Sequence, residues 1–292
     1  MSNAAAIIPG ITAFFDPATF TASYVVADPA SRRAAIIDPV LDFTPRNGRS
    51  STRSADAILA FVKAQGLTID WLLETHAHAD HLSASHYLHG KTGAPIVIGA
   101  LITEVQKVFA ALFEADDVTP DGSQFGRLVG ESDVLPLGDL AIHVLHTPGH
   151  TPACVSYIIG DAVFVGDTLF MPDYGTARSD FPGGSAEALY ASIRKILTLP
   201  PETRVFVGHD YLPEHRKEFR WETTIAEQNA ANVHIHAGVS EADFVALRRA
   251  RDAELEAPLL ILPSLQVNIR AGEMPPASPG GHVYLRIPLN AI

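Results

Sequence analysis

Thr75-His76-Ala77-His78-Ala79-Asp80-His81 follows an apolar run at residues 71–73 and brings three imidazoles and a carboxylate close together. Imidazole nitrogen suits zinc, iron and copper, and a carboxylate adds a harder, negatively charged ligand. In extended backbone His76 and His78 point to the same side, about 6–7 Å apart, because side-chain direction repeats every second residue. The two rings can bind one ion or be divided between two neighbouring ions. The stretch therefore predicts a transition-metal site.

Three later segments repeat this arrangement, in which a short apolar strand ends in a turn that carries a ligand-type residue. They are residues 140–145 before His150, residues 162–165 before Asp167, and residues 204–207 before His209. Buried strands that end in Gly or Pro turns deliver loop residues to one edge. The sequence thus predicts that seven side chains from four loops meet: His76, His78, Asp80, His81, His150, Asp167 and His209.

This ordered set, over roughly residues 10–215, resembles the metallo-β-lactamase superfamily. The resemblance implies an α+β fold, a four-layer αββα sandwich with the metal site at one edge of its two sheets. No Gly/Ser linker interrupts the chain. We therefore expect a catalytic domain at residues 1–215 and a C-terminal extension, residues 216–292, packed on the same domain.

Within that superfamily the chain is most similar to the persulfide dioxygenase group, which is related to glyoxalase II. Three segments carry this narrower match: residues 75–84, the loop 174–184 and the tail segment 262–272. The chain departs from the pattern at Ser179, where bacterial members often carry Cys, which argues against thiol chemistry in this loop. The resemblance implies one Fe(II) per chain, held by His76, His150 and Asp167 as the catalytic residues. Glutathione persulfide and O2 would be the substrates.

In that interpretation the other four residues of the set, His78, Asp80, His81 and His209, orient the ligands. The alternative is a glyoxalase II-like hydrolase of S-acylglutathione thioesters with one or two Zn(II) ions. There one metal is held mainly by His76, His78 and His150, and the other by Asp80, His81 and His209. Asp167 bridges the two, and a metal-bound hydroxide attacks the acyl carbon. Spacing alone does not separate one metal from two, because all seven residues are present. The tail, rich in Pro and Gly, favours the dioxygenase. A third hypothesis is a metal-binding regulator without catalytic turnover, and the complete ligand set argues against it.

Substrate contacts are also implied by the resemblance. Arg178 and Arg270 are candidates to bind the carboxylates of glutathione through their guanidinium groups, with Asp180 and Tyr211 assisting. Each has a structural alternative: Arg178 can form a loop-stabilising ion pair with Asp180, Arg270 can be a solvent-facing strand charge, and the Tyr211 ring can simply pack. The single cysteine, Cys154, lies in an apolar strand and is expected to be a small core residue.

The composition excludes several classes of protein. The chain has 292 residues, 47% of them hydrophobic, and a net charge of −12. Such a charge argues against nucleic acid or an anionic membrane as a partner. One cysteine allows no intrachain disulfide, the N-terminal residues 1–10 lack the features of a signal peptide, and no apolar stretch is long enough for a membrane helix. We expect a cytoplasmic protein and, by resemblance, a homodimer or tetramer.

Local patterns predict the secondary structure. Residues 11–37 read as antiparallel strands, with Asp38 at the end that faces the site. The tail, residues 261–292, is predicted to be irregular with short strands. Helices are predicted at residues 54–65, 83–89, 103–113, 185–197, 216–232 and 241–255, the first capped by Ser54 and the last by Ser240.

Overall fold

The computed structural model describes residues 8–291, so most of the N-terminal segment considered for a signal peptide lies outside the described residues. Two six-stranded sheets face each other. The first contains, in order across the sheet, β1 (Gly10–Asp16), β2 (Thr21–Ala27), β3 (Arg33–Ile37), β6 (Thr68–Leu73), β8 (Ile96–Gly99) and β9 (Arg127–Val129). The second contains β10 (Val134–Leu137), β11 (Leu140–His146), β12 (Val155–Ile159), β13 (Ala162–Phe164), β14 (Arg204–Phe206) and β15 (Glu222–Thr224). A small third sheet joins β5 (Arg49–Ser51), β4 (Val40–Thr44) and β7 (Leu82–Ser83).

Helices cover the outer faces of both large sheets. The helices are α1 (Arg53–Ala64), α2 (Ser85–Thr92), α3 (Ile102–Phe113), α4 (Ala186–Ile196), α5 (Ile225–Ala231), α6 (Glu241–Asp252) and α7 (Ile261–Asn268). The apolar faces of α1, α2, α3 and α7 share one core with the first sheet, and those of α4, α5 and α6 share another with the second. A third core lies between the sheets. The four-layer αββα sandwich predicted from the sequence is therefore confirmed.

Strand β2 shows why the central strands are apolar on both sides. Its successive side chains point to opposite faces. Val25 joins the core under the helices, whereas Tyr24 and Val26 join the core between the sheets. Because both faces of the strand are covered, no polar alternation is needed.

The topology brings four strand ends to one edge. Strands β3, β6 and β8 run parallel, and β11, β13 and β14 share one direction through the antiparallel partner β12. Backbone contacts tie the two sheets together at this edge, where Val155 donates to the carbonyl of Thr75 and Thr21 pairs with His209. The ligand-type residues follow the carboxyl ends of β6, β11, β13 and β14, as predicted.

Most local predictions are confirmed. Residues 11–37 form three antiparallel strands, α3 and α4 match the predicted ranges closely, and Ser185 and Ser240 cap α4 and α6. The prediction that Ser54 caps the first helix is wrong. The helix begins at Arg53, and the backbone N–H and hydroxyl of Ser54 donate to Asp42 instead. The second predicted helix starts at Ser85 rather than Ser83, because Ser83 pairs with β4 as part of β7.

The helix predicted at residues 216–232 is wrong over its first half. Residues 222–224 form β15, which pairs with β14 at the edge of the second sheet. Helix α5 begins only at Ile225, where Thr224 and Glu227 form a reciprocal capping box. Arg216 lies in a loop, and its guanidinium binds Asp210 and Asp173. Tertiary pairing overrides the helical composition of this segment.

The prediction that residues 261–292 are irregular with short strands is also wrong at its start, because residues 261–268 form helix α7. Pro263 lies in the first turn of this helix, where a missing backbone N–H removes no intrahelical hydrogen bond. No strand is present in residues 261–291, which are irregular after the helix. Across residues 8–291, every helix is too short or too polar to cross a membrane.

Helix α6 buries one complete ion pair. Arg248 is 1% exposed and donates through Nε to Asp252 at 2.9 Å and through Nη1 to the carbonyl of Thr176 at 3.2 Å. Asp252 in turn accepts hydrogen bonds from the backbone N–H and hydroxyl of Ser179. This pair therefore fastens the C-terminal extension to the loop 174–184.

We expect Arg248→Ala to lower the free energy of unfolding by about 3–5 kcal/mol, because it leaves the buried Asp252 carboxylate without its cation. Chemical denaturation monitored by circular dichroism measures this change. The adjacent Arg249→Ala is the control, since Arg249 is exposed and pairs with Glu187 at the surface. A similar loss of stability in both variants would contradict the importance of the buried pair.

Candidate metal centre

The seven ligand-type residues meet at the edge described above. Six of them are buried, and Asp80 is partly exposed. Glycines make the close approach possible. A Cβ on Gly166, whose φ is +49°, would collide with the side chain of Thr75, and one on Gly208 would lie 2.8 Å from Oδ1 of Asp167. The turns after β13 and β14 therefore need glycine beside the ligand.

The ligand atoms form two groups, within each of which they lie no more than 4.8 Å apart. One contains His76, His150 and Asp167, and the other contains His78, Asp80, His81 and His209. In the first group, Oδ2 of Asp167 lies 3.9 Å from Nε2 of His76 and 3.8 Å from Nε2 of His150. Ligand bonds of about 2.0–2.2 Å to a shared ion can span such separations. The first group is the set that the resemblance assigns to a single iron, and its role as the ligand set stays a prediction. The grouping differs from the dinuclear division, because His78 lies with Asp80, His81 and His209 rather than with His76 and His150.

Within the seven ligand-type residues, five buried atoms have no hydrogen-bond partner among the described residues. They are Nε2 of His76, Nδ1 of His78, Nε2 of His81, Oδ1 of Asp167 and Nε2 of His209. Buried polar atoms are almost always hydrogen-bonded, so five such atoms in one place require an explanation. Nitrogen and carboxylate oxygen are the donor types that a transition metal takes. The residues present fit a metal ion.

The other ring nitrogen of each ligand histidine fixes its orientation. The Thr75 hydroxyl donates to Oδ2 of Asp38 at 2.8 Å, so at 3.0 Å from Nδ1 of His76 it can act only as an acceptor. Nδ1 of His150 donates to the carbonyl of Arg178 at 2.9 Å. Both rings therefore carry their proton on Nδ1 and present the lone pair of Nε2 to the site.

The second group is oriented in a similar way. The Thr21 hydroxyl lies 3.4 Å from Nδ1 of both His81 and His209. Nε2 of His78 lies 3.1 Å from Oδ1 of Asp38 and 3.2 Å from Oε2 of Glu74. The prediction that Asp38 faces the site is confirmed by these contacts.

Sequence reasoning missed Glu74. Its Oε1 accepts hydrogen bonds from the hydroxyls of Ser83 and Ser85, which holds Oε2 toward His78. Its position in the sequence could have identified it. Glu74 directly follows an apolar strand and precedes His78 by four residues, and a carboxylate in such a buried place is unusual. With Asp38 it surrounds one nitrogen of His78 with two carboxylates.

These contacts make the two histidines of the His-x-His pair electrostatically different. Burial, together with His78 and His150, lowers the pKa of His76 well below its ordinary value. Burial also lowers the pKa of His78, but the charge and hydrogen bonds of Asp38 and Glu74 outweigh it and raise that pKa well above the ordinary value. Burial therefore favours a neutral His76, whereas the two carboxylates favour a protonated His78.

The candidate substrate residues lie as follows. Arg178 forms a two-pronged ion pair with Asp180, with N–O distances of 2.6 and 2.7 Å, and also donates to the carbonyl of Glu256 at 2.7 Å. Arg270 forms a similar pair with Asp117, at 2.6 and 2.7 Å. It is 6% exposed and directly follows α7, so the alternative of a solvent-facing strand charge is wrong. Substrate binding by either arginine stays a prediction.

Tyr211 packs against the second group of ligands. Its ring stacks on His209 with centroids 5.5 Å apart and also contacts Phe170 and Tyr174. Burial, together with the charges of Asp80 and Asp167, raises the pKa of Tyr211 well above its usual value. The ring is part of the wall of the site, and a contact with substrate stays a prediction.

Cys154 is a core residue, as expected. It is 2% exposed, and burial raises the pKa of its thiol to about 12. Its sulfur accepts a hydrogen bond from the backbone N–H of Thr151. At neutral pH it is a protonated thiol without nucleophilic character.

Comparison with known proteins agrees with this geometry. The family model described as the metallo-beta-lactamase superfamily matches residues 16–209. The chain belongs to the metallo-β-lactamase superfamily. The match contains all seven ligand-type residues and ends at His209, before the C-terminal extension.

Two curated relatives suggest different chemistries. A probable metallo-hydrolase of Burkholderia pseudomallei (strain 1710b) is 53% identical over 293 residues, which cover 97% of this chain and 99% of that protein. The mitochondrial persulfide dioxygenase ETHE1 of Homo sapiens is 32% identical over 200 residues, covering 68% of this chain and 66% of that protein. Some relatives at 51–52% identity are longer, and this chain spans 65–67% of their length.

The fold has a solved counterpart. The crystal structure of ETHE1 from Myxococcus xanthus aligns with a TM-score of 0.73 at 33% identity, covering 90% of this chain and 100% of that one. The aligned share is larger than the part matched by the family model, so it includes some of the C-terminal extension. The likeness confirms the metallo-β-lactamase fold.

We expect Asp167→Ala to lose most of the tightly bound metal, because Asp167 is the only carboxylate of the first group and also faces His209 at 3.2 Å. Metal content after dialysis, measured by emission spectrometry, tests this. Asp161→Ala is the matched control, since Asp161 pairs with Arg204 at the surface. Full retention of metal by Asp167→Ala would rule out the proposed centre.

Proposed function

We propose that this enzyme of the metallo-β-lactamase superfamily is a persulfide dioxygenase that uses one Fe(II) per chain. Glutathione persulfide, O2 and water would give glutathione, sulfite and two protons. The observation that carries the proposal is the separate cluster of two histidines and one carboxylate, His76, His150 and Asp167. Such a facial set with open positions is typical of non-haem Fe(II) oxygenases.

The similarity to human and bacterial ETHE1 supports this proposal, since the human protein is named a persulfide dioxygenase. The same comparisons include a relative at higher identity that is named a probable metallo-hydrolase. Names alone therefore do not decide between oxidation and hydrolysis, and the chemistry of the site must.

Iron bound here would supply coordination of the persulfide sulfur and activation of O2. His76 and His150 would hold it as neutral ligands, because each ring donates its Nδ1 proton away from the site. Asp167 adds one negative charge. Phe181 packs beside His150, with ring centroids 5.9 Å apart. Ser179 binds Asp252 through its hydroxyl and has no thiol to offer a persulfide.

The main test is oxygen uptake by purified protein reconstituted with Fe(II). We expect consumption that requires both glutathione and a sulfane-sulfur donor, with sulfite as product. Reconstitution with Zn(II) is the control, since zinc has no redox chemistry. Absence of oxygen uptake with the iron form would rule out the dioxygenase.

A thioester hydrolase is the second candidate, and a specific observation favours it. The second group is complete, and Nδ1 of His78 and Nε2 of His81 and His209 lack partners among residues 8–291. These residues would hold a second metal ion beside the first group, and two ions would supply an activated water for hydrolysis of S-acylglutathione. Cleavage of such a thioester without oxygen would support this function.

Asp80→Ala separates the two functions. Asp80 belongs only to the second group, so a dioxygenase should keep about one iron per chain and retain oxygen uptake. A dinuclear hydrolase should lose its second metal and most of its activity. Metal analysis beside both assays gives the answer, with Asp167→Ala as the variant that fails in either case.

A further inference from the structure

The C-terminal extension reaches back into the metal-binding loop through one side chain. Asn268, the last residue of α7, is 4% exposed. Its Nδ2 donates to the carbonyls of His78 at 2.7 Å and His81 at 2.8 Å, and its Oδ1 accepts from the backbone N–H of Ser83 at 2.8 Å. Three hydrogen bonds therefore join residues that are far apart in sequence.

The bonded carbonyls belong to two ligand-type residues, and Asp80 lies between them. The loop from Thr75 to His81 contains no helix or strand, so its backbone has no regular ladder of hydrogen bonds. Buried peptide groups without partners are unfavourable, and this loop therefore needs partners from elsewhere. An asparagine amide can donate two hydrogen bonds and accept others, which matches the three groups offered here.

Helix α7 is held firmly in position for this contact. Arg270, just after the helix, pairs with Asp117 near the end of α3, and Gln106 of α3 donates to the carbonyl of Ile269 at 2.9 Å. A Cβ on Gly272 would lie 2.9 Å from the carbonyl oxygen of Ser83, so the chain after the helix also packs closely on the metal loop. Asn268 is attached to a rigid support.

We propose that Asn268 is a positioning residue of the metal centre and sets its metal affinity. The inference rests on the proposed metal site, although it does not depend on which reaction the site performs. It also assigns a role to the extension, which lies outside the family match at residues 16–209. The ligands of the catalytic domain are fully ordered only when α7 is docked on the loop.

The test measures binding of Zn²⁺ and of Fe²⁺ by competition with a chromophoric chelator, using the full chain. Asn268→Ala should weaken binding by about 10–100-fold, as is typical when a group that orients a ligand is removed. Hydrogen–deuterium exchange provides a second measurement, because the Ser83 amide should lose protection. Wild-type metal affinity in this variant would overturn the proposal.

Asn268→Asp keeps the size of the side chain and tests the inference if the alanine variant folds poorly. A carboxylate still accepts from Ser83 but cannot donate to the carbonyls of His78 and His81. We expect weakened metal binding with the Ser83 amide still protected. Unchanged metal affinity here would also overturn the proposal.

Asn232→Ala is the matched control. Asn232 is equally buried, accepts from the backbone N–H of His234 and Ile235, and donates to the carbonyl of Gly175, but contacts no ligand-type residue. It should lose folding stability and keep its metal affinity within about twofold, since no orienting contact is removed. An equal loss of metal affinity in both alanine variants would mean that Asn268 acts only through general stability. Failure of oxygen uptake would overturn the dioxygenase alone, because these measurements use the metal by itself.

Discussion

The structure depends on keeping five nitrogen and oxygen atoms buried at one point without hydrogen-bond partners among residues 8–291. Each such atom costs roughly 1–3 kcal/mol. A bound metal ion removes this cost, so metal binding and folding of the site are coupled. Hydrogen bonds on the outer side of the rings hold the histidines in position despite this cost. Thr75 contacts Nδ1 of His76, and the carbonyl of Arg178 accepts from Nδ1 of His150.

The extension supports both halves of this arrangement. On one side Asn268 binds the backbone of the loop that carries His78 and His81. On the other side the buried pair of Arg248 and Asp252 holds Ser179, and the carbonyl of the preceding residue, Arg178, orients His150. The two contacts come from different helices, α7 and α6, and reach different ligand loops. The extension is therefore better regarded as part of the catalytic unit than as an appended segment.

The sequence predicted which seven side chains meet at the edge of the sheets, and most of the fold, because those features are local. Alternation of apolar and polar residues, a capping serine or a glycine after a strand can each be recognised within about ten residues of sequence. The parts that were missed depend on contacts between distant residues: the strand at residues 222–224 exists because β14 is beside it, and Asn268 acts across 190 residues. The same limit applies to Arg178 and Arg270, whose guanidinium groups are already paired with carboxylates, so their residue type alone does not make them substrate ligands.

The two groups of ligands differ in how well they can be satisfied without a metal. In the second group, Nε2 of His209 lies 3.2 Å from Asp167 and 3.3 Å from Asp80. Burial opposes protonation of His209, yet these two carboxylates raise its pKa, as Asp38 and Glu74 do for His78. A proton on Nε2 of His209 can therefore be shared with these two carboxylates, whereas Nδ1 of His78 and Nε2 of His81 keep no hydrogen-bond partner among residues 8–291. In the first group the pKa of His76 is lowered, and Nε2 of both histidines faces Oδ2 of Asp167 at 3.8–3.9 Å, so a cation between these atoms would satisfy all three. The two groups therefore differ in their electrostatics, although they meet at the same edge of the sheets.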